Sequence, residues 1–180
     1  MSTTELLLIS GSLREQSTNT AALRTAAANA GPGIITHHYT GAAFPQFNPD
    51  EDTDPLPEPV AELRARIHAV DAVLLAVPEY AGGLPGSFKN LIDWTIADDS
   101  PGSLNGKPLA WINAAERGAE KAHAALREVL GYAGSVIVER ACAHVPVAHE
   151  SVGADGLLTD PAASERVTAV LHALVAAVRD

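Results

Sequence analysis

Two short segments hold most of the residue types that could do chemistry. The first runs Ser10-Gly11-Ser12-Leu13-Arg14-Glu15-Gln16-Ser17-Thr18-Asn19-Thr20 and gathers hydroxyls, one guanidinium and one amide just before an alanine-rich stretch. If that stretch is a helix, its first N–H groups and the positive end of its dipole face the segment, and Arg14 adds a charge-assisted contact. This is a phosphate's chemistry. Neither standard nucleotide loop matches, because position 16 is Gln where GxxxxGK[ST] needs a second glycine, and GxGxxG is absent. A monophosphate cradled by hydroxyls therefore suits the segment better than a pyrophosphate pressed on glycines. The same residues can also be read without a ligand, with Ser12 and Glu15 as a capping box and Ser17 as a plain N-cap.

The second segment, Pro78-Glu79-Tyr80-Ala81-Gly82-Gly83-Leu84-Pro85-Gly86, places glycines where backbone N–H and C=O groups can meet the edge of a planar heterocycle. Its plainer reading is a tight loop leading into a helix opened by Pro85. Elsewhere the chemistry is thin. His37 and His38 are adjacent on an expected strand and must point to opposite faces, and His144 and His149 flank Pro146 with no HExxH pattern, so no metal site is expected. His68, His123 and His172 fall on expected helices, at partly wet edges. The single cysteine, Cys142, can form no internal disulfide and belongs to no CxxC pair; it reads as a small buried hydrophobe.

The elements that must position these segments follow from hydrophobic periodicity. Glu5 to Ile9 reads as a buried strand and Thr18 to Asn29 as a helix closed by Gly31. A second strand is expected at Gly33 to His38 and a helix at Pro59 to Val70, with Val60, Leu63 and Ile67 inward. Then come a strand at Ala72 to Val77, a helix from Pro85 burying Phe88, Leu91, Ile92 and Ile96, and a strand at Pro108 to Asn113. A helix at Glu116 to Leu130, a strand at Ser135 to Arg140 and a closing helix at Pro161 to Val178 complete the chain. Strand and helix alternate five times, which calls for a parallel sheet covered on both faces by right-handed crossovers. The expectation is one domain over residues 1–180: a three-layer, flavodoxin-like doubly wound sheet of five parallel strands in order 2-1-3-4-5. Its ligand crevice belongs at the carboxyl ends of the strands, lined by the loops after strands one, three and four. Between strand two and the next helix, Phe44 to Pro59 carries Asp50, Glu51, Asp52, Asp54 and several prolines, and reads as a solvated surface loop.

Composition narrows the function. With 180 residues, 47% hydrophobic and 19% charged, the chain can fill a core without staples. A formal charge of −10 with scattered basic residues argues against a nucleic-acid partner. No apolar run approaches the roughly 20 residues of a membrane helix, and Met1 to Leu8 lacks the basic start and cleavage site of a secretory signal, so a cytoplasmic location is expected.

Together, GSLRxxSxN after strand one and PEYxGxxPGSxKNxIDW after strand three, about 65 residues apart, resemble the NAD(P)H-dependent FMN reductase family of flavodoxin-like flavoproteins, whose relatives include quinone, chromate and azo-dye reductases. Weaker similarity continues through Phe44 to Asp50 and Gly118 to Arg127. The resemblance implies FMN as cofactor and NADPH or NADH as co-substrate. It places the FMN phosphate on Ser12, Arg14, Ser17 and Asn19, with backbone help at Thr18 and Thr20, and lays the isoalloxazine against Pro78, Glu79, Tyr80, Ala81, Gly82 and Gly83. The loop Asn113 to Gly118, including Ala115, resembles the segment at the far edge of the ring. Two departures stand out: many members carry Asn where this chain has Ala81, and a Gly-Gly pair where it has Gly118-Ala119. The resemblance further implies hydride transfer through flavin N5 to a small acceptor such as a quinone, free flavin, azo compound or metal oxyanion, in ping-pong order, with no catalytic side chain and commonly as a homodimer or tetramer. Whether Arg14 or Arg117 also meets a nicotinamide nucleotide's 2′-phosphate stays open, and a flavodoxin-like electron carrier or a non-enzymatic binding module are the alternative readings.

Overall fold

The computed structural model describes residues 3–40 and 44–180; of the leaderless start expected over Met1 to Leu8, Met1 and Ser2 lie outside the described residues. Four strands run β1 Thr4–Ser10, β2 Ile34–Thr40, β3 Ala72–Ala76 and β4 Pro108–Asn113. Two short pieces, β5 Val136–Ile137 and β6 Ala143–His144, both pair with β4. All pairings are parallel, and the order is β2-β1-β3-β4-β5, with β6 continuing beside β4. This is the expected 2-1-3-4-5 doubly wound sheet.

Alternation along the central strands divides the core. Leu6, Leu8, Leu74, Ala76, Ala110 and Ile112 face α1 (Thr18–Ala28) and α5 (Pro161–Arg179). Leu7, Ile9, Val73, Leu75, Leu109 and Trp111 face α2 (Glu58–His68), α3 (Gly86–Asp93) and α4 (Glu120–Tyr132). Central strands buried on both sides need such continuous apolar runs. On α5, Val167, Val170, Leu171 and Leu174 recur at helical spacing and are buried.

The structure corrects the sequence reading in several places. The strand expected over Ser135 to Arg140 is split by a 3₁₀ turn at Glu139–Ala141. Helix α4 starts at Glu120 rather than Glu116, because Gly118 (φ 101°) and Ala119 (φ 50°) hold left-handed backbone that cannot continue a helix. Ile96 lies beyond α3 and is exposed. The loop after β2 is anchored rather than solvated throughout: Asn90 Nδ2 and Trp94 Nε1 each donate to Pro45 O at 2.9 Å, and Phe47 N donates to Asn90 Oδ1 at 2.8 Å. Asp52 within it is buried, paired with Arg64 at 2.8 Å, and Arg64 Nε also donates to Trp94 O.

Candidate functional site

The first loop leaves β1 at the point where the sheet order reverses. Gly11 N donates to Ala76 O of β3 at 2.8 Å, and a Cβ on Gly11 would stand 3.0 Å from Val77 Cγ1 and 3.2 Å from Phe88, so a side chain here would have to push those two aside for the chain to turn this tightly over β3. Ser17 caps α1, its Oγ accepting from Thr20 N at 3.4 Å, as one of the plainer readings had it. The capping box does not form: Ser12 Oγ accepts instead from Arg14 N at 3.3 Å. The first-turn N–H groups of Thr18 and Asn19 keep no intrahelical acceptor, and Asn19 Oδ1 is buried with no partner among the described residues. An unsatisfied buried amide is costly, and at a helix start it is the group a phosphate oxygen would satisfy once the amide turns its nitrogen outward.

The second loop is a two-residue hairpin. Tyr80 N donates to Gly83 O at 3.0 Å and Gly83 N to Tyr80 O at 3.1 Å, with Ala81 (φ 52°) and Gly82 (φ 75°) both left-handed at its tip. Tyr80, 44% exposed, reaches back so that its hydroxyl lies 3.4 Å from Ser12 Oγ, tying the second loop to the first. Glu79 has a structural task that the sequence does not reveal: its Oε2 accepts from Ala122 N at 3.0 Å and so caps α4 across the gap between loops.

The third loop is held by side chains around it. Asn113 Oδ1 accepts from Ala115 N at 3.1 Å while its Nδ2 donates to Gly118 O. His144 Nε2 lies 2.7 Å from Ala115 O, and His123 Nδ1 lies 3.0 Å from Ala119 O. His123 is not at a wet edge as its helical position suggested; it is 9% exposed, and burial, reinforced by nearby His144, pushes its imidazole below the ordinary range against the opposing pull of the Ala119 carbonyl and Glu79. Cys142, between the halves of the split strand, is partly rather than fully buried, and that burial raises its thiol above the usual range and favours the protonated form.

Between the three loops opens a cleft of about 320 Å³. Its walls bring together Ser12, Arg14, Ser17, Thr18, Asn19, Pro78, Glu79, Tyr80 and Ala115 from the expected set, with Arg117 and Ala119 added. Six expected residues do not line it. Thr20 turns its hydroxyl to Ser10 at 2.8 Å, Ala81, Gly82 and Gly83 form the rim hairpin, and Asn113 and Gly118 brace the third loop from behind. Arg117 is the single cation of the third loop, and that is the signal by which it could have been placed. Neither Arg14 nor Arg117 is paired with a carboxylate among the described residues. The cleft lining therefore sets two guanidinium groups, Arg14 and Arg117, against the one carboxylate of Glu79, which is bonded to Ala122 N, in a chain of charge −10. Exposed N–H groups, an orphaned amide and free guanidinium suit an anionic monoester at the α1 end, and the hairpin offers a broad face beyond it. Among the described residues no three His, Cys, Asp or Glu side chains are placed to hold a metal ion.

Comparison with known proteins agrees with this geometry. Residues 4–150 match the sequence model of a family described as NADPH-dependent FMN reductase. An NAD(P)H-dependent FMN reductase of Pseudomonas aeruginosa is 34% identical over 177 residues, which cover 97% of this chain and 95% of that protein. A 2-hydroxy-1,4-benzoquinone reductase of a Burkholderia species is 26% identical over 179 residues, covering 98% and 97%. Among solved structures, FerB, a flavoenzyme NAD(P)H:(acceptor) oxidoreductase from Paracoccus denitrificans, superposes with a TM-score of 0.79 at 30% identity, covering 98% of this chain and 97% of its own. With a cleft of this make at the reversal of strand order and a match over most of its length, the chain belongs to the NADPH-dependent FMN reductase family.

Proposed function

We propose that this protein is an FMN-dependent NAD(P)H oxidoreductase acting on quinones and similar small acceptors, with the cofactor held in the three-loop cleft. The observation that carries the reading is the continuity of that cleft: a phosphate-type helix start at one end, the Tyr80–Gly83 hairpin at the other, and Ala115 and Ala119 closing the far wall. FMN bound there would supply the redox chemistry between reduced nicotinamide and the acceptor. The chain's own residues bind and orient. Arg14, Ser12, Ser17, Thr18 and Asn19 hold the phosphate at α1, Pro78 to Gly83 present backbone to the ring, and the loop from Asn113 to Gly118 sets its outer edge. No side chain is required as acid or base.

Reduction and reoxidation at one open face imply ping-pong kinetics, and double-reciprocal plots at several acceptor concentrations should be parallel. The decisive experiment is the visible spectrum of the protein with FMN, followed anaerobically by NADPH or NADH. A bound-flavin spectrum that bleaches supports the reading, whereas a flavin that nicotinamide leaves oxidised, or a protein that ignores FMN, sinks it. Arg14→Ala should weaken FMN binding by about 1.5–3 kcal/mol, read by flavin fluorescence quenching; unchanged affinity would remove Arg14 from the phosphate site. We further infer a homodimer or tetramer working in the cytoplasm without nucleic acid, to be checked by light scattering; among the described residues no helix is long and apolar enough to cross a membrane.

A further inference from the structure

The third loop has little backbone bonding of its own: inside it, Gly118 N reaches Ala115 O at 3.3 Å. Backbone N–H groups of Val145 and Val147 tie its start at Asn113 O and Ala114 O, and the rest is held by two buried side chains behind the cleft wall, Asn113 and, on the first turn of α4, His123. Its Nδ1 and its backbone N both address Ala119 O, at 3.0 and 3.1 Å. The carbonyl can only accept, so Nδ1 carries the hydrogen and Nε2 carries a lone pair. That Nε2 is buried with no partner among the described residues. Ala119 itself needs holding, because its φ of 50° is unfavourable for a residue with a Cβ.

We propose that His123 is a positioning residue for the flavin site: as a neutral imidazole it clamps Ala119 O and so fixes the cleft wall formed by Ala115 to Ala119. The inference rests on the cleft being the FMN site. A second proton would go to Nε2, creating a buried cation whose new N–H has no acceptor. The groups around it give little relief. His144 from β6 also points to the loop, and Arg127, one turn along α4, is engaged with Glu139; Cys142 stays a thiol, and the Glu79 carboxylate, bonded to Ala122 N, favours the protonated ring without outweighing its burial. The protonated ring is stable only if it swings to water, which leaves Ala119 O with the backbone N–H of His123 alone and loosens the wall. The ring's depressed affinity for protons fixes the direction: the clamp is intact at and above neutral pH and is lost as pH falls below the ordinary histidine range toward the depressed folded value.

Asparagine places an amide N–H near the position of imidazole Nδ1 but cannot titrate, and leucine fills the site without a donor. FMN affinity of wild type, His123→Asn and His123→Leu is therefore measured at pH 7.5 and 5.5 by fluorescence quenching, with hydrogen exchange of the segment 114–120 followed in the flavin-free protein. Wild type should lose about tenfold in affinity on acidification and His123→Asn only about threefold, the residue of the effect being protonation of the FMN phosphate. His123→Leu should bind roughly fivefold more weakly already at pH 7.5, with faster exchange of the loop at both pH values. An Asn variant that loses as much affinity as wild type overturns the proposal, as does a Leu variant with wild-type affinity and exchange. If wild type binds no FMN at pH 7.5, the proposed function fails instead, and the exchange of the three proteins still decides whether His123 holds the loop.

Discussion

At the scale of single residues, the two alanines that depart from the resembled family share one backbone property. Ala81 and Ala119 are the positive-φ non-glycine residues among the described residues, and each lies on a loop around the cleft. Asn or Gly in these places has a reason independent of any cofactor contact, because both tolerate left-handed backbone that alanine adopts only with strain. Ala81→Gly and Ala119→Gly should each raise stability by about 0.5–1 kcal/mol, the strain relieved less the added chain entropy of glycine. Urea midpoints check this, and a lowered midpoint for either variant would show that the turn is relaxed as it stands. The residues of the cleft were legible from type and spacing, because hydroxyls, Arg14 and an amide before a helix start specify an anion site locally. Glu79 and His123 were not: their partners, Ala122 and Ala119, are fixed by how α4 enters, and that depends on two dihedral angles no spacing rule reports.

At the scale of elements, the loop over residues 44–57 shows how acidic composition misleads. Four acidic side chains near several prolines describe a solvated strap, yet Asp52 is turned inward on Arg64, which also holds Trp94 O at the end of α3. Removing one partner of such a pair leaves the other buried and uncompensated. Asp52→Ala should cost about 3 kcal/mol by urea unfolding, whereas Asp50→Ala, on the exposed side of the same turn, should cost less than about 0.5 kcal/mol. Equal effects would mean that the pair is not the anchor. The fifth strand was legible as an apolar run but not as two pieces. Two residues separate Leu109 from Ile112 on β4 while five separate their partners Ile137 and Ala143, and the surplus is extruded as the turn that carries Glu139 to Arg127. Periodicity marks where a strand exists; only its pairing with β4 shows where it must break.

At the scale of the whole molecule, the order of strands and helices was legible because each buried strand is a continuous apolar run and each helix carries its own stripe. Helix α5 lies beyond the residues that match the family model, yet it supplies much of one face of the core, with Leu171 and Leu174 fully buried. Leu171→Ala should cost about 3 kcal/mol, and a chain stopped at Asp160 should lack the near-ultraviolet circular dichroism of a packed core. A well-packed truncated chain would show that α5 is dispensable. Acid should weaken the fold as a whole: burial depresses both His38, helped by Arg24, and His123, so the unfolded chain takes up protons first as pH falls below the ordinary histidine value. The melting temperature should decline between pH 7.5 and 5.5, and a flat profile would contradict the burial of these rings.

The break in the fifth strand also bears on what happens when chains crowd together. A sheet grows by pairing at its borders, and here the borders differ. On the β5–β6 side, backbone available for pairing comes as two residues, a turn and two residues, too short a template for a neighbouring chain. The β2 side offers seven consecutive residues with Ile35 45% exposed. Any runaway stacking of this protein should therefore be one-sided, starting from β2, and Ile35→Lys should suppress heat-induced turbidity while leaving the melting temperature within about 2 °C of wild type.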